Sequence, residues 1–429
     1  MKKSKYDVVI IGGGTSGCAC AYTCAKKNLK TLLVEKNNYL GGLMTGGLVI
    51  PVMKSSLNNL NTSYYKALVK HAKKYSAQIT YKDGNDGWFN PELLKIVLDD
   101  LLKLKNLDIL FESELKEVNV KNNKINSIEI SSNMLSIPIV SKYYVDCSGF
   151  GILAKLSGCE FLNDNNQKQK NSLRFILSNV NIEKFCKFIK SIDSNEDITN
   201  TYRIDSDNKE IFHFTTASVD DGTDKWAMSS ILKKGLKDTL KKSDLSYFQV
   251  FSVAGSTNQV AFNCPRTDNY DDIYKSSLEL IKARQAIYRL YRFAKTYFQG
   301  FENAEITNIA QITGVREQKR VKCKYLYTKS DLVSGKKFKN TVLCANYPID
   351  IHSNNKTAVK KQNIKYELPI ESLMSFDIDN LFVAGKILGS DFTAQSALRV
   401  QKSCMSMGEG VAKYISKLLS DTKVVKDII

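Results

Sequence analysis

At 429 residues, 43% of them hydrophobic, the chain has room for two or three domains with sizeable cores. Its formal net charge of +18 invites a nucleic-acid reading, but only nine of its 62 basic residues are arginine, the side chain best built to fork onto phosphates and bases, and this argues against nucleic acid as the partner. No run reaches 18 apolar residues, glycines cut short the apolar stretch behind the basic N-terminus, and ten scattered cysteines form no CxxC pair; this argues against a membrane span, a signal peptide, a metal site and a disulfide scaffold, and predicts a cytoplasmic protein with reduced thiols.

Read in chain order, "KYDVVIIGG" predicts a buried parallel strand, Ser16–Asn28 a helix, and "KTLLVEK" (Lys30–Lys36) a second parallel strand, which together make a βαβ start. "GWFNPELLKIVLDDLLKLKNL" gives a helix with apolar residues at 93, 94, 97, 98, 101 and 102 and a proline in its first turn. "LDILFES" follows as a strand, and the short apolar runs between Leu115 and Gly149 read as a β-meander. From about Glu160 to Gly300 strand-like pieces alternate with polar turns around a long helix, roughly Tyr270–Phe298. The last hundred residues return to an apolar strand, "NLFVAGK", and a final helix from about Val400 to Leu419. The predicted fold is α/β: a Rossmann-like nucleotide-binding domain from residues 1–159 and 305–429 with the meander inserted, and a mixed α+β substrate or cap domain over 160–304.

Gly12, Gly14 and Gly17 form G-x-G-x-x-G between the first strand and helix. Their expected tasks are the tight turn, the close approach of backbone to a pyrophosphate, and helix–strand packing. Glu35 ends the second strand, where a carboxylate accepts ribose hydroxyls. Two further glycines, Gly41 and Gly42, follow at once, as a flavin needs when it reaches well beyond its adenosine. "YYVDCSGFG" and "NLFVAGKILGSD" are two more apolar strands that end in glycine turns, and three such endings at one sheet edge point to FAD.

"GVREQKR" (Gly314–Arg320), "YPIDIH" (Tyr347–His352), "LRVQKSCMSMGEG" (Leu398–Gly410), "FNPELLKIVLDDLL" and "VDCSGFGILAKLSG" add a pattern over nearly the whole chain. In it the sequence resembles bacterial FAD-dependent oxidoreductases with a glutathione-reductase-type FAD domain, related to fumarate-reductase-like flavoproteins. The resemblance implies noncovalent FAD and redox chemistry on a small molecule. It departs in two places: "ILGSDFTAQSA" lacks the histidines common in the family, and Phe150 stands where an acid is often found. The motifs together assign cofactor contacts to Gly12, Gly14, Gly17, Glu35, Lys36, Gly41, Gly42, Thr45, Ser148, Gly149, Gly385, Ala394, Ser396 and Leu398.

For catalysis, His352 of "YPIDIH" is the candidate acid–base group or substrate anchor, the plainer alternative being a supporting histidine held by Asp350. Asn263 and Arg266 in "VAFNCPRTD" leave an apolar strand at a proline turn and suit a substrate oxygen. Arg399 adds positive charge at the start of the final helix. Arg316 and Glu317 read as an ion pair bracing two domains, His71 as solvated, and His213 as a core or pocket-wall side chain. No second G-x-G-x-x-G is present, so electrons are expected from the substrate, a partner protein or a visiting NAD(P)H. Two other functions fit parts of the pattern: a flavin-dependent RNA-modifying enzyme, from the charge, and an FAD-binding scaffold with lost activity, from the missing histidines.

Overall fold

A strand that reads Val-Val-Ile-Ile with no polar alternation must be covered on both faces. The computed structural model describes residues 4–55, 60–81, 84–162, 168–192, 199–204, 208, 210–216, 219–220, 228–245, 247–352, 357–360 and 364–426. In it Val8, Val9, Ile10 and Ile11 are all buried. They belong to β1 (Ser4–Ile11), which is followed by α1 (Thr15–Lys26) and β2 (Thr31–Val34). Helix α2 (Pro91–Leu101) starts where the sequence places it, because the Asn90 side chain accepts from the backbone N–H groups of Glu92 and Leu93 and Pro91 needs no partner there. Strand β3 (Leu107–Leu110) then completes a parallel β3–β2–β1 edge. The meander follows as β4 (Glu114–Lys121), β5 (Lys124–Ser132) and β6 (Leu135–Asp146).

Strand β6 is twelve residues long and changes partners along its length. Its first half pairs antiparallel with β5, and Ile139 to Asp146 lie parallel to β1. The inserted meander is therefore continuous with the parallel sheet instead of forming a separate layer.

A second sheet is antiparallel and six-stranded. Its strands are β7 (Phe175–Ser178), β8 (Thr199–Ile204), β9 (Glu210–Thr216), β10 (Val250–Ser252), β11 (Val260–Phe262) and, after the long helix α3 (Ile273–Tyr297), β12 (Glu305–Ile309). They lie in the order β8–β9–β10–β11–β7–β12. Its core is aromatic: Phe175 stacks on Phe262 at 4.5 Å, and Phe185, Phe298 and Phe301 meet edge-on or tilted nearby.

The chain then supplies β13 (Ile349–His352), β14 (Leu381–Val383), α4 (Phe392–Leu398) and α5 (Gln401–Lys426). Strand β14 returns to the first sheet beside the end of β6. The final helix expected from about Val400 to Leu419 starts beside that place, at Gln401, and runs on to Lys426; the short helix α4 before it, capped at Arg399, has no counterpart in the sequence reading. Helix α5 crosses α1 backbone against backbone at Gly408. A Cβ on Gly408 would stand 2.1 Å from the Ser16 carbonyl oxygen. This contact explains the small residues of α1, where Cys18, Cys20 and Cys24 are buried as thiols. Among the described residues no helix is long and apolar enough to cross a membrane.

Two predictions follow from this packing. Gly408→Ala should lower stability by about 2–3 kcal/mol in chemical unfolding, since the backbone of α1 has to move away; an unchanged midpoint would mean the helices are not in contact. His213 on β9 is buried, meets the Ser252 carbonyl at 2.9 Å and lies edge-on to Trp88 at 4.6 Å, and burial pushes its pKa down to about 3. An unfolded chain takes up that proton near pH 6.5 while the folded one does not, so stability should fall as the pH drops from 6.5 towards 3, by up to about 1.4 kcal/mol per unit. His213→Gln should flatten that part of the slope, and an equal slope in both proteins would assign the acid sensitivity elsewhere.

Candidate active site

Three strand ends meet at one sheet edge. Ile11 pairs with Asp146 and Asp146 with Val383, so the glycine turns after β1, β6 and β14 stand side by side. Gly12 has φ +101°, and a Cβ there would lie 2.6 Å from the Cys147 carbonyl oxygen. A Cβ on Gly17 would be 1.8 Å from the carbonyl oxygen of Gly12. Gly14 is different, because a Cβ there meets nothing within 4 Å. Gly14 is also the N-cap of α1, it offers no side-chain acceptor, and the first turn carries no acid. The glycine run thus leaves an open face over unsatisfied helix N–H groups, which suits a pyrophosphate.

The second glycine pair closes over the first. Gly41 N–H donates to the Gly13 carbonyl at 2.8 Å, and a Cβ on Gly42 would come within 3.0 Å of the Gly14 Cα. Glu35, buried at the end of β2, ties the same turn: one carboxylate oxygen accepts from Gly13 N at 2.6 Å, the other from Asn37 N and Nδ2 at 2.8 and 2.6 Å. The oxygen bonded to Gly13 keeps a second lone pair for a ribose hydroxyl, whereas Asn37 engages both lone pairs of the other. Asn37 has no signal in the sequence beyond its place next to the motif. These residues fit FAD.

Other predicted contacts are placed less directly. The Thr45 hydroxyl is turned into its own loop, donating to the Leu40 and Gly42 carbonyls at 2.5 and 3.3 Å. Ser148 N–H and hydroxyl both donate to the buried Asp146 carboxylate, which also accepts from Ala154 N and so shapes the turn after β6. Ser396 bonds back to Thr393 within α4, and Ala394 and Leu398 are buried on the same helix. Lys36 and Lys386 stand 5.7 and 4.9 Å from the ring of Phe150. Gly149 and Gly385 have φ of +71° and +91°, and a Cβ on the first would press on Lys386. Lys386 donates to the Val315 carbonyl at 2.7 Å, and burial pushes its pKa down to about 8.

Helix α4 links this edge to a second group of charges. Gln395 Nε2 donates to the Lys386 carbonyl at 3.3 Å, and Arg399, at the end of the helix, bonds the Asp350 carbonyl at 2.9 Å and its carboxylate at 3.3 Å. Asp350 and His352 are two apart on β13 and so project to the same side. His352 Nε2 lies 2.9 Å from Asp350 Oδ1, and Arg266 Nη2 lies 3.3 Å from His352 Nδ1. The tautomer is fixed by this pattern: an arginine can only donate, so Nδ1 accepts and Nε2 carries the proton. Burial opposes ionisation of Asp350, but the His352 hydrogen bond and the Arg399 charge outweigh it and hold the carboxyl at about 2. Burial holds His352 below the usual imidazole value, with Arg266 adding to the effect against the pull of Asp350.

Arg266, His352 and Arg399 are thus together. Asn263 is one step removed: it donates to Gln249 at 3.0 Å, and Tyr247, which also bonds Gln249, lays its ring 3.7 Å from the Arg266 guanidinium. Sequence reasoning missed Tyr247, Gln169 and Arg174. The Gln169 side-chain oxygen accepts from His352 N and Arg399 Nη2 at 3.2 and 3.4 Å. The expected Arg316–Glu317 pair is corrected. Arg316 donates to the Lys170 carbonyl at 2.9 Å, whereas Glu317 faces Asn269 and lies 4.0 Å from Arg320, because adjacent residues on an extended turn point apart.

Among curated proteins, the chain is 36% identical over 76 residues to the mitochondrial glycerol-3-phosphate dehydrogenase of Rattus norvegicus, 16% of this chain and 10% of that one. It is 27% identical over 158 residues to the D-amino acid dehydrogenase of Helicobacter pylori, 26% of this chain and 37% of the relative. The matches span well under half the length of either relative. Among solved structures, Aquifex aeolicus GidA shares the fold at a TM-score of 0.51 and 12% identity, over 96% of this chain and 63% of that one. The model of one family, described as FAD dependent oxidoreductase, matches residues 7–428, from the first strand through the last helix, and the chain belongs to that family.

Proposed function

We propose that this FAD-dependent oxidoreductase moves a hydride between a small, oxygen-rich metabolite and N5 of its flavin. The buried succession Arg399–Asp350–His352–Arg266, joined to the glycine edge through α4, is the observation that supports it. In this reading residues 1–159 and 305–429 hold FAD in a cytoplasmic protein, and 160–304 shape the substrate side. Bound FAD supplies the two-electron acceptor or donor.

The chain supplies the proton and the charge. Asp350, ionised, accepts from Nε2 and orients the ring, which leaves Nδ1 as the atom that takes or returns a proton. Because His352 stays neutral below the ordinary imidazole range, it is ready as a base at neutral pH. Arg266 and Arg399 place positive charge where a substrate oxygen gains electron density. Electrons then come from the substrate, a protein partner or a visiting NAD(P)H.

Purified protein should be yellow, absorb near about 450 nm and release its flavin in acid; a colourless protein that takes up no FAD would overturn the reading. Gly14→Ala is the sharper variant, because a methyl group there fits the fold but occupies the open face. It should unfold like the parent and lose FAD, as Glu35→Ala should, whereas normal FAD content in Gly14→Ala would move the phosphate seat elsewhere. His352→Gln should do the reverse, keeping FAD and slowing oxidation of the photoreduced flavin by its best acceptor about a hundredfold. The acid limb of kcat/KM should lie below pH 6.5 in the parent, since a lowered pKa keeps the base free to lower pH, and should vanish in His352→Gln.

A further inference from the structure

We infer that the substrate is an anion whose carboxylate or phosphate group is taken by Arg174 together with Arg266. The inference rests on the reading above, but different atoms carry it. Arg174 precedes β7 and is buried at 6% exposure. The strand register sets Arg266 opposite Ser172, two residues from Arg174, so both guanidinium stems leave neighbouring backbone. One Arg174 nitrogen, Nη1, donates to the Leu48 carbonyl at 3.3 Å, and its Nε has no acceptor. Arg266 Nη1 is likewise buried without an acceptor, as are Arg399 Nε and the Nε2 of the fully buried Gln169.

Donors exceed acceptors here, and cations exceed anions. Three of the nine arginines in the chain gather at this place, and the carboxylate among their bonded partners is Asp350, already engaged by His352, Arg399 and Tyr347. Burial and the neighbouring Arg266 push the Arg174 guanidinium down to about 9, and no carboxylate counters them. Water would satisfy the N–H groups but not the charge, so the species that completes the site is a negatively charged acceptor. The phosphates of FAD have their own seat. Gly14 there caps α1 beside Gly42, Glu35 holds the neighbouring Gly13, and the bonds of the three arginines go to other residues. An anion on Arg266 would also release Nδ1 of His352, the atom assigned to the proton, so that substrate charge and base would be coupled.

The test is calorimetric titration of the FAD-loaded protein at constant ionic strength with acetate, malonate, inorganic phosphate and, as a neutral control, malonamide. At least one anion should bind saturably and malonamide should not. Arg174→Gln should weaken binding at least tenfold at unchanged FAD content, and Arg174→Lys should recover part of it. Preference for malonate or acetate assigns a carboxylate, and preference for phosphate a phosphoryl group. Absence of saturable binding, equal binding of malonamide, or an unchanged affinity in Arg174→Gln overturns the inference. So does loss of FAD from Arg174→Gln, which would give the charge to the cofactor; should that variant fail to fold, Arg174→Lys and Arg266→Lys carry the same comparison. Turnover is not measured, so the anion site can fail while FAD content and the His352 variants still support the redox reading, and the reverse outcome is equally distinct.

Discussion

The glycine edge depends on main chain touching main chain without an intervening side chain. Gly17 brings α1 onto the turn after β1, Gly42 lays the second loop on Gly14, and Gly408 seats α5 on the first turn of α1. At each point a single methyl group would stand closer to backbone than van der Waals contact permits. Once these crossings are made, the free N–H groups of α1 have only one open side, and Glu35 holds the loop in register with it. The large apolar core beneath α1 and α5 is the means of pressing them together.

The second centre follows a different economy of forces. Here the stabilising element is one carboxylate, Asp350, shared between an imidazole and a guanidinium inside the protein. A buried ion with several hydrogen-bond partners is held firmly, and removal of any partner leaves the others uncompensated. The group therefore behaves as a unit, which is why a histidine on β13 and an arginine on the joint between α4 and α5 can keep a fixed relation although nothing in the sequence links them.

Much of the glycine edge is legible in the sequence because glycine spacing reports backbone geometry directly. Gly12, Gly17, Gly41 and Gly42 are glycines for reasons the structure makes plain. The hydroxyls of Thr45, Ser148 and Ser396 were less legible, since such side chains find acceptors within their own turns as readily as outside them. Asp350 and His352 could be paired by their spacing on a strand, but the partners of Gln169 and Arg174 lie far along the chain, and Tyr247 sits on a two-residue strand with no pattern to mark it. The short helix α4 was not legible, because seven residues carry too little periodicity to mark a helix.

The contact between Ser16 and the turn after β14 joins residues 368 apart in sequence. During synthesis, the first βαβ unit emerges well before the strand and helix that cover it, which follow the whole of the second sheet. Until then the thiol-lined face of α1 and one flank of β6 have no neighbour, and a half-made chain presents them to solvent. Closure is thus a late, non-local event. A nascent chain halted before Gly408 would carry every glycine of the first loop and still lack the wall against which that loop is set, so cofactor capture waits on α5.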